Sequence, residues 1–461
     1  MESHSKMVSR MSRNRTKRKS GSLVHRPGRT GQRSNRITAL STTRTAAAVL
    51  GLAFAVAAAC SGGGSSSPQL AATQAGSPPS ATQAGSIHPA APTALPDPRG
   101  AVRLTLPGQV TVNRGPDITP TGFVGTIPNF DDSGHGYLPI LAYDGGVLVR
   151  RDSLAVDTSD AQEYWWWSSV SGDLTRLWQV GDPHKQDVLT GTDGQWIATV
   201  RVGESLPFPD WELILRNPAT GAERTIAVSD ERVTRSTRLP VGLPSGFAPE
   251  PSISEGYVVW IEWAFGDDDQ LHKYVRLYSI EADRQQTITM IDDPRMEDIR
   301  MASIGGHRLA WINDLPGQAG SHIVVHDFLT EKEWRFSTGE IPYRGRLSAD
   351  GRFFAWDVAY SAKYALEIDS GRVDRFGDDE GQDIIVTSDG VSWAAGIGPN
   401  ARGGYYDFDT RTVRRTAGSG GNASWLLGNG LFFFREFTVD ERGQEIRELT
   451  TYYIVKTATS E

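Results

Sequence analysis

Leu347-Ser348-Ala349-Asp350-Gly351-Arg352-Phe353-Phe354-Ala355-Trp356, followed by Ala365-Leu366-Glu367-Ile368-Asp369-Ser370-Gly371, decides the fold. Asp350-Gly351 signals a tight turn, because Gly accepts the left-handed backbone such turns require. The run behind it, Phe353-Phe354-Ala355-Trp356, has the aromatic content of a strand. A second apolar strand then ends in the polar turn Asp369-Ser370-Gly371. Working outward, a turn ending in Gly precedes a β-rich apolar stretch at seven places. The earlier ones are Asp144-Gly145-Gly146-Val147-Leu148-Val149, Asp193-Gly194-Gln195-Trp196-Ile197-Ala198, Glu255-Gly256-Tyr257-Val258-Val259-Trp260 and Gly305-Gly306-His307-Arg308-Leu309-Ala310-Trp311. The later ones are Asp389-Gly390-Val391-Ser392-Trp393-Ala394 and Asn429-Gly430-Leu431-Phe432-Phe433-Phe434. The anchoring glycines are 49, 62, 50, 45, 39 and 40 residues apart.

About 20–35 residues after an anchor comes a strand, a polar turn and another strand. Val275-Arg276-Leu277-Tyr278-Ser279-Ile280-Glu281-Ala282-Asp283 and Ile323-Val324-Val325-His326-Asp327-Phe328-Leu329-Thr330-Glu331 are examples. No long amphipathic helix interrupts the pattern. A period of ~40–50 residues with four short strands per unit is the signature of a β-propeller. The expected fold class is therefore all-β, a β-propeller over residues 100–461. Seven units predict seven blades, with six or eight as the alternatives. Ala101-Val102-Arg103-Leu104-Thr105-Leu106 and Val110-Thr111-Val112 alternate like edge strands and are expected to complete the last blade, pairing the two ends of the chain.

The unit around Asp350-Gly351 resembles the repeat of TolB-like propellers, which reads roughly Ser-Pro-Asp-Gly, apolar strand, gap, strand, Asp-x-x-Thr-Gly, strand. Ala349 stands where Pro is usual, and most units lack the Ser. The resemblance spans about 140–456 and implies fold. The chain does not resemble the WD-repeat family, since Trp356-Asp357 stands alone and in the wrong strand.

Cys60 is the one Cys in 461 residues. It ends a small and apolar run beginning at Thr45, shorter than the ~20 residues a helix needs to span a bilayer. The leader before that run is strongly basic, and Ser61-Gly62-Gly63-Gly64 follows the Cys. This order resembles a bacterial lipoprotein signal, with Ala57 where Leu is usual. The resemblance implies cleavage of residues 1–59 and acylation of the Cys60 sulfur. An ordinary signal peptide cut near Ala59, leaving Cys60 unmodified, is the alternative. Basic leaders stay on the cytoplasmic side, so the remainder is expected outside it, lipid-anchored at the cell membrane. Residues 60–99 are rich in Gly, Ser, Pro and Ala and lack aromatics, so they read as a disordered tether.

Residues 1–60 hold 12 of the 47 basic residues and one of the 55 acidic ones; the rest carries 35 against 54, a net −19. That excludes nucleic acid as a partner, because binding it depends on neutralising phosphates.

Several residues are candidate sites. Trp165-Trp166-Trp167 cannot all face a core in one strand, since alternate side chains point to opposite faces. They are candidates for protein or glycan binding, or for packing between blades. Asp267-Asp268-Asp269 offers oxygen ligands suited to Ca²⁺, though without EF-hand spacing, and a solvated acidic loop is the alternative. Gly377-Asp378-Asp379-Glu380 is a lesser case. His322 and His326 share a face of a strand without clustering. No HExxH, Gly-x-Ser-x-Gly, Walker or dinucleotide motif occurs. No catalytic residue and no cofactor is assigned. The expected function is a membrane-anchored, non-catalytic protein- or glycan-binding scaffold. The alternative is a propeller-type glycosidase, lyase or lactonase with its site at the axial channel.

Overall fold

The computed structural model describes residues 95–96, 100–107, 113–115, 123–128, 135–153, 162–182, 184–203, 210–234, 248–291, 298–314, 321–358, 362–377, 381–395, 402–415, 422–428, 431–436 and 451–456. The leader, Cys60 and the tether up to residue 94 lie outside these residues, as do Asp378-Asp379-Glu380. The end of the expected tether, Leu95–Pro96, is already a strand. No helix among the described residues is long and apolar enough to cross a membrane.

In chain order the strands begin with four N-terminal pieces: β1 (Leu95–Pro96), β2 (Val102–Arg103), β3 (Asn113–Arg114) and β4 (Phe123–Pro128). The first antiparallel sheet is β5 (His135–Tyr143), β6 (Gly146–Ser153), β7 (Glu163–Ser168) and β8 (Leu174–Gln179). The second is β9 (Lys185–Thr192), β10 (Ile197–Gly203), β11 (Trp211–Asn217) and β12 (Ala222–Val228). A four-residue helix, α1 (Glu231–Thr234), precedes the third: β13 (Ser252–Ser254), β14 (Tyr257–Phe265), β15 (Leu271–Ser279) and β16 (Arg284–Ile291). The fourth is β17 (Asp298–Gly305), β18 (Arg308–Asp314), β19 (Ser321–Asp327) and β20 (Lys332–Ser337). The fifth is β21 (Arg344–Leu347), β22 (Phe353–Val358), β23 (Ala362–Glu367) and β24 (Arg372–Phe376). The sixth is β25 (Gly381–Val386), β26 (Gly390–Ala395), β27 (Arg402–Asp407) and β28 (Thr412–Arg415). The seventh is β29 (Asn422–Gly428), β30 (Leu431–Glu436) and β31 (Thr451–Lys456).

Local chemistry explains the turns. At Asp144-Gly145 and Glu255-Gly256 both residues take positive φ, the pattern of a tight hairpin turn matched to strand twist. The first and second strands of each sheet meet in short turns, as do the third and fourth of the first six. The connections from second to third strand and from one sheet to the next, most of them longer, lie at the opposite end. That is where variable, functional chain usually sits.

The core lies between sheets. One apolar cluster joins the first and second sheets through Leu148, Tyr164 and Ile197. Others join the second to the third around Trp260, the third to the fourth around Trp311, the fourth to the fifth around Trp356, and the fifth to the sixth around Trp393. A further cluster joins the seventh to the first through Ile127, Leu431 and Trp167. The innermost strands follow the same succession: β5 packs on β9, β9 on β13, β13 on β17, β17 on β21, β21 on β25, and β29 on β5. The sixth and seventh sheets meet where β26 and β27 pack on β29. This is the architecture of an all-β propeller.

One expectation is corrected. Residues 101–107 do not complete the last sheet, and Val110-Thr111-Val112 lie outside the described residues. β4 does so, pairing antiparallel with β31 in the register Tyr453↔Thr126. β2 instead adds parallel to the outer edge of β20, and β3 adds parallel to β28. Between them Leu104 is buried in the cluster shared by the fourth and fifth sheets, with Leu106 packed against it. Burying Leu104 there favours this path, and the added strands shield sheet edges.

Candidate functional site

The long-connection end of the third, fourth and fifth sheets carries a dense set of partly buried charges. Strand pairing positions them. Asp298 opens β17 and lies opposite Asp314, which closes β18; Arg344 opens β21 and lies opposite Asp357 in β22. The carboxylates are separated from one another by cations. Lys273 Nζ donates to Asp298 Oδ1 at 2.7 Å. Arg300 forks onto Asp314, through Nη2 to Oδ1 at 3.1 Å and through Nε to Oδ2. Ser321 Oγ also donates to Asp314. The Arg344 backbone N–H donates to Asp357 Oδ1 at 2.8 Å, and Lys363 is the cross-strand neighbour of Asp357. A forked guanidinium–carboxylate pair is among the stronger and more directional contacts available to a side chain.

Burial perturbs two of these groups in opposite directions. Burial lowers the pKa of Lys273, against the opposing pull of Asp298. It raises that of Asp357, against the hydrogen bond from the Arg344 N–H and the charges of Arg344 and Lys363. Lys363 itself is fully buried, its ammonium 5.5 Å from the Trp393 ring centroid. Such shifts mark places where a fold holds charge at a cost.

Polar contacts also link the third and fifth sheets past the innermost strand of the fourth. Arg346 of β21 approaches Glu250, just before β13, at 3.8 Å, so the fifth sheet reaches the third in front of the fourth. Further along, Ser254 Oγ donates to the Ala349 carbonyl at 3.3 Å, again joining third to fifth. Buried serines tie the inner strands together: Ser252 Oγ accepts from Ile304 N–H at 3.2 Å, and Ser303 Oγ accepts from Leu347 N–H at 3.0 Å.

Beside this network, the connection from β20 to β21 is fixed by its backbone. Arg300 Nη2 donates to the Pro342 carbonyl at 2.8 Å and Nη1 to that of Tyr343 at 3.3 Å. Tyr343 N–H donates to the Asp357 carbonyl at 2.8 Å, and Ser321 N–H to that of Glu340 at 3.2 Å. Pro342 is buried, while Ile341 is 60% and Tyr343 42% exposed.

Of the residues singled out from sequence, the Trp run lies elsewhere, while Asp267–Asp269 and His322 sit at the long-connection end of the third and fourth sheets. Trp165, Trp166 and Trp167 sit in β7 of the first sheet. Trp167 is buried against Ile127 and Leu431, and Trp165, on the same face, meets Tyr137 edge-on at 6.4 Å. Trp166 points to the other face and donates to the Tyr143 carbonyl at 3.0 Å. Trp165 donates to Glu163 at 3.2 Å. Trp165 and Trp166 are half-buried. Asp267, Asp268 and Asp269 occupy the exposed hairpin between β14 and β15. Asp268 binds the buried His272 at 2.9 Å, and Asp269 pairs with Arg232 at 3.4 Å. Among the described residues, no group of three or more His, Cys, Asp or Glu is arranged to hold a metal ion. His322 is buried in β19, and His326 shares its face of the strand.

Sequence reasoning missed the charged network, because its partners meet only in the folded ring: Arg300 with Asp314 across two paired strands, and Lys273 with Asp298 and Arg346 with Glu250 from one sheet to another. The available signal was ionisable residues at the ends of otherwise apolar strands, such as Asp298, Asp314 and Asp357.

No family model matches the chain, and no curated protein matches its sequence. Solved structures do. One, from a study of two prolyl endopeptidases and the role of inter-domain dynamics in their catalysis and specificity, aligns with a TM-score of 0.50 and 10% identity, covering 74% of this chain and 50% of that one. This chain thus spans about half the length of that structure. The β-propeller domain of the Trilobed protease from Pyrococcus furiosus aligns at 12% identity and a TM-score of 0.38, covering 55% of this chain and 78% of that one. An oligogalacturonate lyase from Vibrio parahaemolyticus aligns at 11% identity and 0.37, covering 68% and 92%. At such identities the likeness speaks to fold alone: the chain is an all-β protein of the β-propeller type.

Proposed function

We propose that this chain is a membrane-anchored, extracytoplasmic β-propeller of seven blades that serves as a non-catalytic binding scaffold. Its partner is a protein or cell-envelope glycan met at the long-connection end. The observation that carries the binding reading is the state of the charges there. Lys273, Arg300, Arg344 and Arg346 each lie against a carboxylate or its hydrogen-bonded backbone, which makes a rigid platform. The blade number is supported by the cyclic packing of inner strands and by β4 completing the last sheet from the opposite end of the chain. The anchor is argued from Cys60 and its flanks, with residues 61–94 as the tether.

The test is a crosslinking pull-down from intact envelopes with the full lipoprotein and a Cys60→Ala control. A reproducible partner, recovered less when Cys60→Ala frees the domain from the membrane, supports the reading; no partner at good expression overturns it. A glycosidase, lyase or lactonase is the second reading, favoured by the carboxylates and cations gathered at the long-connection ends of the inner strands, Asp298 and Arg300 of β17 and Arg346 of β21, with Lys273 and Asp357 beside them. Turnover of an envelope polysaccharide lost in both Lys273→Met and Asp357→Asn, with folding intact, would support it instead.

A further inference from the structure

We propose that the boundary between the first and second sheets holds a buried site for a small inorganic anion of halide size, bound at Arg216. The site stands apart from the binding reading above: it governs how the ring holds together, not what the ring captures.

Strands β7 to β11 build it. β10 turns Ile197, Thr199 and Arg201 towards the first sheet, where Ile197 packs with Leu148 and Tyr164. Asp187 of β9 lies opposite Arg201, and Arg216 of β11 lies opposite Ile197, so both share that face. Arg216 Nη2 comes within 3.0 Å of Asp187 Oδ2, and its guanidinium therefore crosses β10 at Thr199, midway between the two pairs. From the first sheet, the Trp178 ring centroid lies 5.1 Å from the Arg216 guanidinium. Trp178 stacks on Tyr164 at 4.7 Å, and the Tyr164 hydroxyl donates to the Asp187 carbonyl.

Three side chains here keep buried polar atoms with no hydrogen-bond partner: Arg216 at Nη1 and Nη2, Trp178 at Nε1 and Thr199 at Oγ1. Arg216 is 4% exposed and Thr199 is fully buried. The unpaired indole N–H groups of Trp167, Trp356 and Trp393 belong to apolar clusters, whereas that of Trp178 lies beside a cation. Buried donors are nearly always paired in native proteins, so such a set around one guanidinium is the lining of a site for an acceptor. Guanidinium and indole nitrogens only donate, and the hydroxyl is free to donate. A halide accepts from every side. A water has lone pairs for only part of the set and must place its own protons as well.

Charge agrees with this choice. The groups held away from water are Arg201 and Arg216 against Asp187, whose carboxylate already takes the Arg201 fork at 2.8 and 3.3 Å. Arg150 of β6, opposite Tyr164, turns a further cation to the boundary. Glu223, the other partner of Arg216 at 3.1 Å, is half exposed. Lys185, Glu212 and the exposed Asp210 lie nearer the long-connection end within reach of water, which screens them.

The test follows thermal unfolding of the full lipoprotein as bromide replaces gluconate at constant ionic strength. The expected result is a saturable rise in Tm. Its half-saturating bromide concentration should move up roughly tenfold in Thr199→Val and in Trp178→Phe, each of which removes one hydrogen bond to the anion. In crystals of the full chain grown with bromide, an anomalous peak should lie within hydrogen-bond reach of Arg216 Nη1. No saturable rise, a rise unchanged in both variants, or crystals with water and no anomalous peak beside Arg216 overturns the proposal. Should either variant fail to fold, the crystal result on the natural chain decides.

Discussion

Asp187 shows how the ring tolerates buried charge. It is fully buried in β9, with Arg201 at 2.8 Å and Arg216 at 3.0 Å. Removing one member of a buried ion cluster leaves the others unpaired, at a cost of ~3–5 kcal/mol. Asp187→Ala should lower the urea midpoint accordingly, whereas Asp409→Ala, at an exposed pair with Arg352, should change stability by less than about 1 kcal/mol. Asp357 makes a pH prediction. Its folded pKa is raised by burial, so the native state holds a proton that the unfolded chain releases near pH 3.8. Its contribution is therefore fully present below pH 3.8 and is lost as pH rises through the higher folded pKa. Urea titrations should show Asp357→Asn gaining on the natural protein across that window and no further above it; a difference independent of pH would contradict the assignment. Glu163 behaves oppositely: burial raises its pKa, but hydrogen bonds from Arg151, Trp165 and Arg176 outweigh burial and lower it.

Among the elements, the N-terminal strands do most to define the ring. β4 supplies the fourth strand of the seventh sheet, and β2 and β3 run along the outer edges of the fourth and sixth. Leu104 is the buried link between them, so Leu104→Ala should cost ~2–5 kcal/mol, while Val102→Ala, at a partly exposed position, should cost much less. Comparing their thermal unfolding checks this. The same elements mark the boundary of what the sequence made legible. Turns such as Asp144-Gly145 and Asp350-Gly351, each followed by an apolar run, announced the recurring sheets, because both signals are local. The path of residues 101–128 was not legible: two-residue parallel pairings carry no periodic signal, and pairing of β4 with β31 spans the chain. The Trp165-Trp166-Trp167 run was legible as alternation, since its rings divide between the two faces of β7. The charged network was not, since Arg300 and Asp314 meet only when β17 and β18 pair.

At the scale of the whole molecule, two ends of one ring differ in kind. The short-turn end is laced by ion pairs between neighbouring sheets, Arg224–Asp283, Arg308–Asp369 and Arg411–Glu367, and by the close approach of Gly305 and Gly351. The long-connection end holds the buried charges, the contact of Arg346 with Glu250 between the fifth and third sheets, and the exposed Ile341 and Tyr343. A tether of some 35 residues after Cys60 would give the domain freedom to present either end. Fractionation checks the anchor itself: Cys60→Ala should move the protein from the membrane to the soluble fraction, and unchanged membrane retention would contradict lipidation.

The claim that the long-connection end meets the partner is tested most directly by hydroxyl-radical footprinting of the protein in intact envelopes against the purified protein. The account predicts protection of Ile341 and Tyr343 in envelopes, with Leu329 and Val170 labelled equally in both. Equal labelling of Ile341 and Tyr343 in the two preparations, or protection confined to Leu329 and Val170, would contradict it.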